Sequence, residues 1–182
     1  PAAQWGVFEC DELWLAHVLP HLRSNYVLLL NLFRDQLDRF GEIDRIQATI
    51  AEALAKTPET TFVFNGDDPL CAAIADRIPN KALAFGIASD MGLSADRISD
   101  SRFCQKCGGA LEYDYVHYGQ LGAYRCPDCG WARPELAFAA TNVRLEEDGF
   151  VFDIDGRSVH TGHTGAYMVY NVFAAYVISK LS

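Results

Sequence analysis

The sequence predicts an open α/β fold, a mostly parallel sheet with crossover helices, interrupted by a small metal-binding insert. Three observations carry this. From Trp5 to about Ile87, short apolar runs alternate with segments of helical periodicity, the pattern left by parallel strands joined through helices. Two Cys-x-x-Cys pairs then follow within one short stretch, "FCQKCGGALEYDYVHYGQLGAYRCPDCGWARPE". Beyond them the apolar residues switch to a period of two, the mark of antiparallel pairing.

The elements follow in order. "WGVFE" reads as a first strand ending on the acid Glu9. Asp11 is suited to cap a helix over "ELWLAHVLPHLR", in which Leu15, Val18, Leu19 and Leu22 share a face. "YVLLL" reads as a buried strand. "GEIDRIQATIAEALAK" puts Ile43, Ile46, Ile50 and Leu54 on one helical face, with Pro58 beyond its end. "TFVFN" is the next strand. Asp68 then caps a helix whose first position is Pro69, where a missing N–H costs nothing, and "ALAFGI" closes the third unit. Three such units imply an open sheet. After the cysteines, "AFAATNVRLEEDGFVFDIDGRSVH" alternates around the turn signal Glu147, Asp148, Gly149 and predicts an antiparallel hairpin. Val169, Val172, Phe173, Tyr176 and Val177 predict a packed helix over Ala166 to Leu181. The expected organisation is residues 1–99 and 137–182 as two parts of one domain, with residues 100–136 as a zinc-ribbon insert.

Composition narrows the function classes. Half of the 182 residues are hydrophobic and 21% are charged, enough apolar matter for one sizeable core with a small satellite module beside it, and too much for disorder. The net charge of −9 gives no positive field toward nucleic acid or anionic lipid. No apolar run is long enough for a transmembrane segment and no basic leader precedes an apolar stretch, so a cytoplasmic location is expected.

Cys104 and Cys107 are separated from Cys126 and Cys129 by eighteen residues, the spacing of a four-cysteine zinc site. Two intervening residues let one tight turn aim both sulfurs at one ion, and Gly108 and Gly130 permit the positive φ such turns need. Four thiolates fill a tetrahedron and leave no open position, so the ion is expected to be structural. Acids at 100, 112, 114, 128 and 135 offset the bases Arg102, Lys106, Arg125 and Arg133, so the insert lacks the charge for nucleic-acid binding. Its aromatics, Tyr113, Tyr115, Tyr118, Tyr124 and Trp131, are expected to fill the gap between ribbon and body or to face a protein partner. Cys10 and Cys71 read as small buried hydrophobes.

Chemistry is expected at the carboxyl ends of the early strands, where open α/β sheets take ligands. Glu9 stands at one such end and suits a Mg²⁺ ion beside a phosphate, while "ECDE" reads equally well as a helix start. "NLFRDQLDRFGE" crowds Asn31, Arg34, Asp35, Gln36, Asp38 and Arg39 into one connection, and "NGDDP" adds Asn65 and Asp67 at the next. His17 and His21 are four apart on a helix and lack a third ligand, while His160 and His163 flank a turn.

In order and spacing, "VFECDE", "NLFRDQLDRFGE", "NGDDP" and "GAYMVYNVFAA" resemble the central ATPase domain of the Mur ligase family, and the four-cysteine insert narrows the resemblance to its MurT-like branch. The resemblance implies ligation driven by ATP. A carboxylate takes the γ-phosphoryl group, and an amine displaces phosphate from the acyl phosphate. For MurT-like members it implies the α-carboxyl of D-glutamate in lipid II as acceptor, at the membrane surface, and ammonia from a GatD-like glutaminase partner. It implies Glu9 as a Mg²⁺ ligand, Asp35, Gln36 and Asp38 beside the metal and the reacting carboxylate, Asn65 and Asp67 near the adenine and ribose, and Asn171 in the helix packed below the nucleotide. Asn31 joins this cofactor-binding set. The departures are Gln36 where many members have histidine, no lysine between Glu42 and Ala55 to carbamylate, and Tyr167-Met168 where a His-Asn pair is common. No Gly-x-x-x-x-Gly-Lys-Thr loop is present, so a P-loop is expected upstream of Pro1 and a further domain downstream of Ser182, and this piece alone is expected to hydrolyse no ATP. The competing reading is a non-catalytic zinc-ribbon module that binds protein or nucleic acid.

Overall fold

The computed structural model describes residues 5–33, 42–93 and 101–182. Six strands form one sheet in the order β1 (Tyr26–Leu29), β2 (Thr61–Asn65), β3 (Ala82–Ile87), β6 (Phe138–Glu146), β7 (Gly149–Ile154) and β8 (Arg157–Thr161), and β4 (Glu112–Tyr118) pairs with β5 (Leu121–Arg125) as a separate ribbon. The pairs β1–β2, β2–β3 and β3–β6 are parallel; β6–β7 and β7–β8 are antiparallel. Helices α1 (Leu15–Leu22), α2 (Glu42–Ala55), α3 (Pro69–Ala75) and α4 (Ala166–Leu181) complete the elements of the described residues.

Alternation along the strands sorts the core into two layers. Phe62, Phe64 and Ala84 face Ile50 and Leu54 of α2 and Leu70 and Ile74 of α3. Val63, Phe85 and Ile87 face the other way, onto Val169, Tyr170, Phe173 and Val177 of α4, where Phe85 and Phe152 meet Phe173 with ring centroids 5.6 and 5.8 Å away. The sheet is therefore sandwiched between helices, and both predicted stripes, on α2 and α4, are the faces it covers. Asp68 caps α3 as its sequence position implies, accepting from the Leu70 N–H at 2.9 Å.

Four expectations need correction. "WGVFE" is not a strand: Trp5 to Glu9 have no partner in any sheet of the described residues, and Trp5, Val7 and Phe8 are exposed, since extended backbone without a neighbouring strand gains no ladder. "YVLLL" forms the outer strand of the sheet and is only half-buried. Helix α1 begins later than Asp11, which instead closes a turn by accepting from the Leu13 N–H at 3.0 Å. The hairpin gains a third strand, because Asp155 and Gly156, at φ 50° and 71°, make a second tight turn into β8. Its first strand, β6, also extends the parallel sheet, with Phe138 opposite Phe85.

Candidate functional site

The insert brings its four cysteines together. Their sulfurs lie within 4.8 Å of one another, with Cys104 Sγ to Cys129 Sγ at 3.6 Å and Cys107 Sγ to Cys126 Sγ at 3.5 Å. A tetrahedral ion with Zn–S bonds of about 2.3 Å requires S···S edges of about 3.8 Å, so the donor set fits such an ion in number, chemistry and spacing. The loops are built for it: the Gly108 N–H donates to the Cys104 carbonyl at 2.9 Å and the Gly130 N–H to the Cys126 carbonyl at 3.0 Å, with the two glycines at φ 77° and 76°. Amides also aim at sulfur, Lys106 N–H at Cys104 and Gly109 N–H at Cys107, each 3.4 Å away. Burial opposes ionisation of Cys104, yet the Lys106 and Cys107 amides and the Cys129 and Cys126 thiols bring it down to about 7. Among the described residues this is the one group of three or more His, Cys, Asp or Glu side chains placed to hold a metal. His17, His21, His160 and His163 are exposed and join no such group.

The ribbon is no satellite. Cys104, Tyr124, Cys126 and Trp131 belong to the same buried cluster as α2 and α3, while Leu121 enters the cluster under α4. Trp131 Nε1 donates to Asp76 Oδ2 at 2.8 Å, and Lys106 reaches the same carboxylate at 3.1 Å, fastening the metal end of the ribbon to the end of α3. Of the predicted aromatics, Tyr113 donates to the Ser101 carbonyl and Tyr115 to the Ile87 carbonyl. They fill the gap between ribbon and body.

The other end of the ribbon lies across the carboxyl ends of the first three strands. At β3, the Ile87 carbonyl accepts from Tyr115 and from Arg133 Nη1 at 3.1 Å. At β2, the Gly122 N–H donates to the Asp67 carbonyl at 3.0 Å. Beyond β1, Gln120 Nε2 donates to the Leu32 carbonyl at 3.0 Å. Sequence reasoning missed this embrace. Its legible trace was the ribbon's wealth of aromatics, while Gln120 and Arg133 carry no local signal of these contacts.

The predicted site residues divide accordingly. Asp35, Gln36 and Asp38 fall outside the described residues. Glu9 is exposed on the segment before α1. Asn31 is half-buried just beyond β1, and Asn171 sits half-buried on α4, its Nδ2 3.5 Å from Met168 Sδ. Asn65 and Asp67 are brought together and fully buried, with Asn65 Oδ1 accepting from the Asp67 N–H at 3.0 Å, while Asn65 Nδ2 has no protein partner among the described residues. Asp67 is spent on the protein itself: Oδ2 accepts from the Ile87 N–H at 2.8 Å and from Tyr170 Oη at 2.9 Å, and Oδ1 pairs with Arg133 at 3.0 Å. One carboxylate thus joins β3, α4 and the insert. Cys71 is buried, its thiol 3.5 Å from Asp68 Oδ2, whereas Cys10 is only partly covered.

Burial drives the Asp67 carboxyl up to about 6 against the pull of the Ile87 amide, Arg133 and Tyr170. Burial likewise raises Asp68 to about 6, opposed by the Leu32 and Leu70 amides, the Cys71 thiol and Gln120. Arg133 remains above its ordinary value: its own burial works against the charge, and Asp67 more than compensates. The sign follows from linkage. A carboxyl raised above its unfolded value of about 3.9 gives stability that is complete below that value and lost as pH rises through about 6, by roughly 3 kcal/mol in all. Wild-type protein should lose stability relative to Asp68→Asn as pH climbs from 5 to 7, read from urea midpoints; comparing the two proteins cancels the opposite dependence of thiolate–metal binding. A difference that is flat or grows with pH contradicts the assignment.

These features match known proteins along nearly the whole chain. The subunit MurT of a glutamine-hydrolysing lipid II isoglutaminyl synthase from Streptococcus pneumoniae is 36% identical over 178 residues, covering 96% of this chain and 39% of that protein. The corresponding MurT of Staphylococcus aureus is 30% identical over 182 residues, covering 99% of this chain and 40% of its own length. The chain therefore spans about two fifths of the length of these relatives. In fold it is similar to a pseudomurein peptide ligase type C from Methanothermus fervidus, with a TM-score of 0.66 at 24% identity, over 90% of this chain and 33% of that one. The family model of the Mur ligase middle domain matches residues 5–179, and the chain belongs to that family.

Proposed function

We propose that this chain is the middle-domain part of an ATP-dependent carbon–nitrogen ligase that amidates lipid II in peptidoglycan synthesis, working in the cytoplasm with a GatD-like glutaminase that supplies ammonia. The observation that carries the reading is the match to MurT subunits at 30–36% identity over nearly all of this chain. The substrate is the D-glutamate α-carboxyl of lipid II. ATP, when bound, supplies the γ-phosphoryl group that makes this carboxyl an acyl phosphate, and ammonia displaces the phosphate. Asp35, Gln36 and Asp38 are assigned to the reacting carboxylate and its Mg²⁺, Glu9 to the same ion, and Asn31, Asn65 and Asn171 to the nucleotide. Support for Asn65 is its buried amide nitrogen, a donor still lacking an acceptor among the described residues. Asp67, with both oxygens occupied by protein donors, serves this site by holding its walls.

The four cysteines are assigned to a structural Zn²⁺, on the strength of their closed donor set. A ribbon serving chiefly as a docking module finds no favour in its aromatics, since Tyr124 and Trp131 are buried against the body. In the full-length protein with its glutaminase partner, Asp35→Asn and Asp38→Asn should each lower amidation roughly a hundredfold or more while leaving thermal stability and zinc content intact. Wild-type turnover by either variant would remove that residue from the chemistry, and by both would remove the site.

A further inference from the structure

Gln120 occupies the turn between β4 and β5, where side chains ordinarily point to solvent, yet it is only 1% exposed. The turn is pressed against the body just past the end of β1. There Leu32 has left the sheet ladder, whose β1 register ends at Leu29, so its buried backbone groups need partners from elsewhere. Two side chains supply them. Gln120 Nε2 donates to the Leu32 carbonyl at 3.0 Å, and the Leu32 N–H donates to Asp68 Oδ2 at 2.8 Å. The next residue is held as well: the Phe33 ring meets Tyr118 edge-on with centroids 5.6 Å apart, and a Cβ on Gly119, itself at φ 55°, would stand 2.7 Å from Phe33 Cε1. The glutamine is present for its donor alone, since its Oε1 is buried without a partner among the described residues, a cost that a hydrocarbon of the same size would avoid.

We infer that Gln120 is a positioning residue of the ligase site: from the tip of the ribbon it fixes, together with Asp68, the backbone of Asn31–Phe33 where the chain leaves β1. The inference deepens the proposed function and rests on it, because Asn31 is assigned to the nucleotide there. It gives the ribbon a role in the reaction through geometry, with no atom of the ribbon touching substrate.

The test uses the full-length protein with its glutaminase partner, carrying Gln120→Met or, at the same tip, Gly119→Ala. Hydrogen exchange at the Leu32 and Phe33 amides, zinc content, and kcat and KM for ATP are measured on each. The expected result is faster exchange at those two amides, unchanged zinc content, and kcat lowered about tenfold per folded molecule, in keeping with the sensitivity of catalysis to sub-ångström placement. A purely structural role would lower the melting temperature while leaving kcat per folded molecule at the wild-type level, and that outcome, or unchanged exchange in both variants, overturns the inference. Gly119→Ala keeps the test open if the buried methionine prevents folding. Asp35→Asn and Asp38→Asn in the same assay separate the two proposals: full activity of both would sink the reaction assignment, while exchange at Leu32 reports on the clamp whatever the reaction is.

Discussion

Cys126→Ser is expected to abolish metal binding and to leave a chain that no longer unfolds cooperatively. Cys126 is buried, its N–H donating to the Trp131 carbonyl at 2.6 Å, and its sulfur is half of the 3.5 Å contact that closes the cluster. A structural Zn²⁺ contributes about 10 kcal/mol to folding, as much as the whole net stability of an ordinary domain, about 5–15 kcal/mol. The loss cannot stay in the ribbon. Tyr124, Cys126 and Trp131 share one buried cluster with Ile50, Leu54, Phe62 and Ile74, so releasing the insert uncovers the α2–α3 side of the sheet. Metal content with urea unfolding followed by tryptophan and tyrosine fluorescence measures this. A metal-free variant, or chelator-treated wild type, with an unchanged urea midpoint would show that the thiols hold nothing the fold requires.

The second large effect belongs to Arg133. Its guanidinium, mostly buried, pairs with fully buried Asp67 and also donates to the Ile87 carbonyl. Arg133→Met keeps most of the side-chain volume and leaves a buried carboxylate without its counter-charge, a change that costs about 3–5 kcal/mol in comparable sites. Lysine should restore only part, since one ammonium cannot reproduce both planar contacts. Urea midpoints of Arg133→Met, Asp67→Asn and the double variant settle the attribution: the double variant should be more stable than the sum of the two losses implies, because a neutral amide in place of the Asp67 carboxylate no longer calls for a cation. Strict additivity would place the effect of Arg133 in packing alone.

How much of this was legible in the sequence depended on range. The α2 and α4 stripes, the Asp68–Pro69 helix start and strands β2 and β3 were readable because each is dictated within one element, and the cysteine cluster because its two Cys-x-x-Cys turns are each local and their spacing suits a shared ion. "WGVFE" carried a strand pattern too, yet pattern is only permission: a strand exists when a neighbour pairs with it, and the described residues supply none. The third strand of the meander was hidden by "RSVHT", whose polar residues fit an outer strand as well as a loop. Least legible was the packing of ribbon on sheet. Asp67 was placed near the nucleotide by the resemblance, and the sequence cannot show that an arginine 66 positions later will reach it. The candidate site shares this limit: Asn65 and Asp67 do meet, while the relation of Glu9 and Asn31 to Asp35, Gln36 and Asp38 is not set by any local rule.

The ribbon also has a place in the order of events by which the chain assembles. It lies within the connection between β3 and β6, two strands that sit side by side, a junction that parallel sheets ordinarily bridge with a helix. Before the cysteines meet, bringing Phe138 beside Phe85 means closing a long slack loop. If an ion joins Cys104 to Cys129, the residues between them no longer count toward that loop, and the entropy of closure falls. The sulfur cluster is in this sense a splice, one that lets the second half of the sheet find the first.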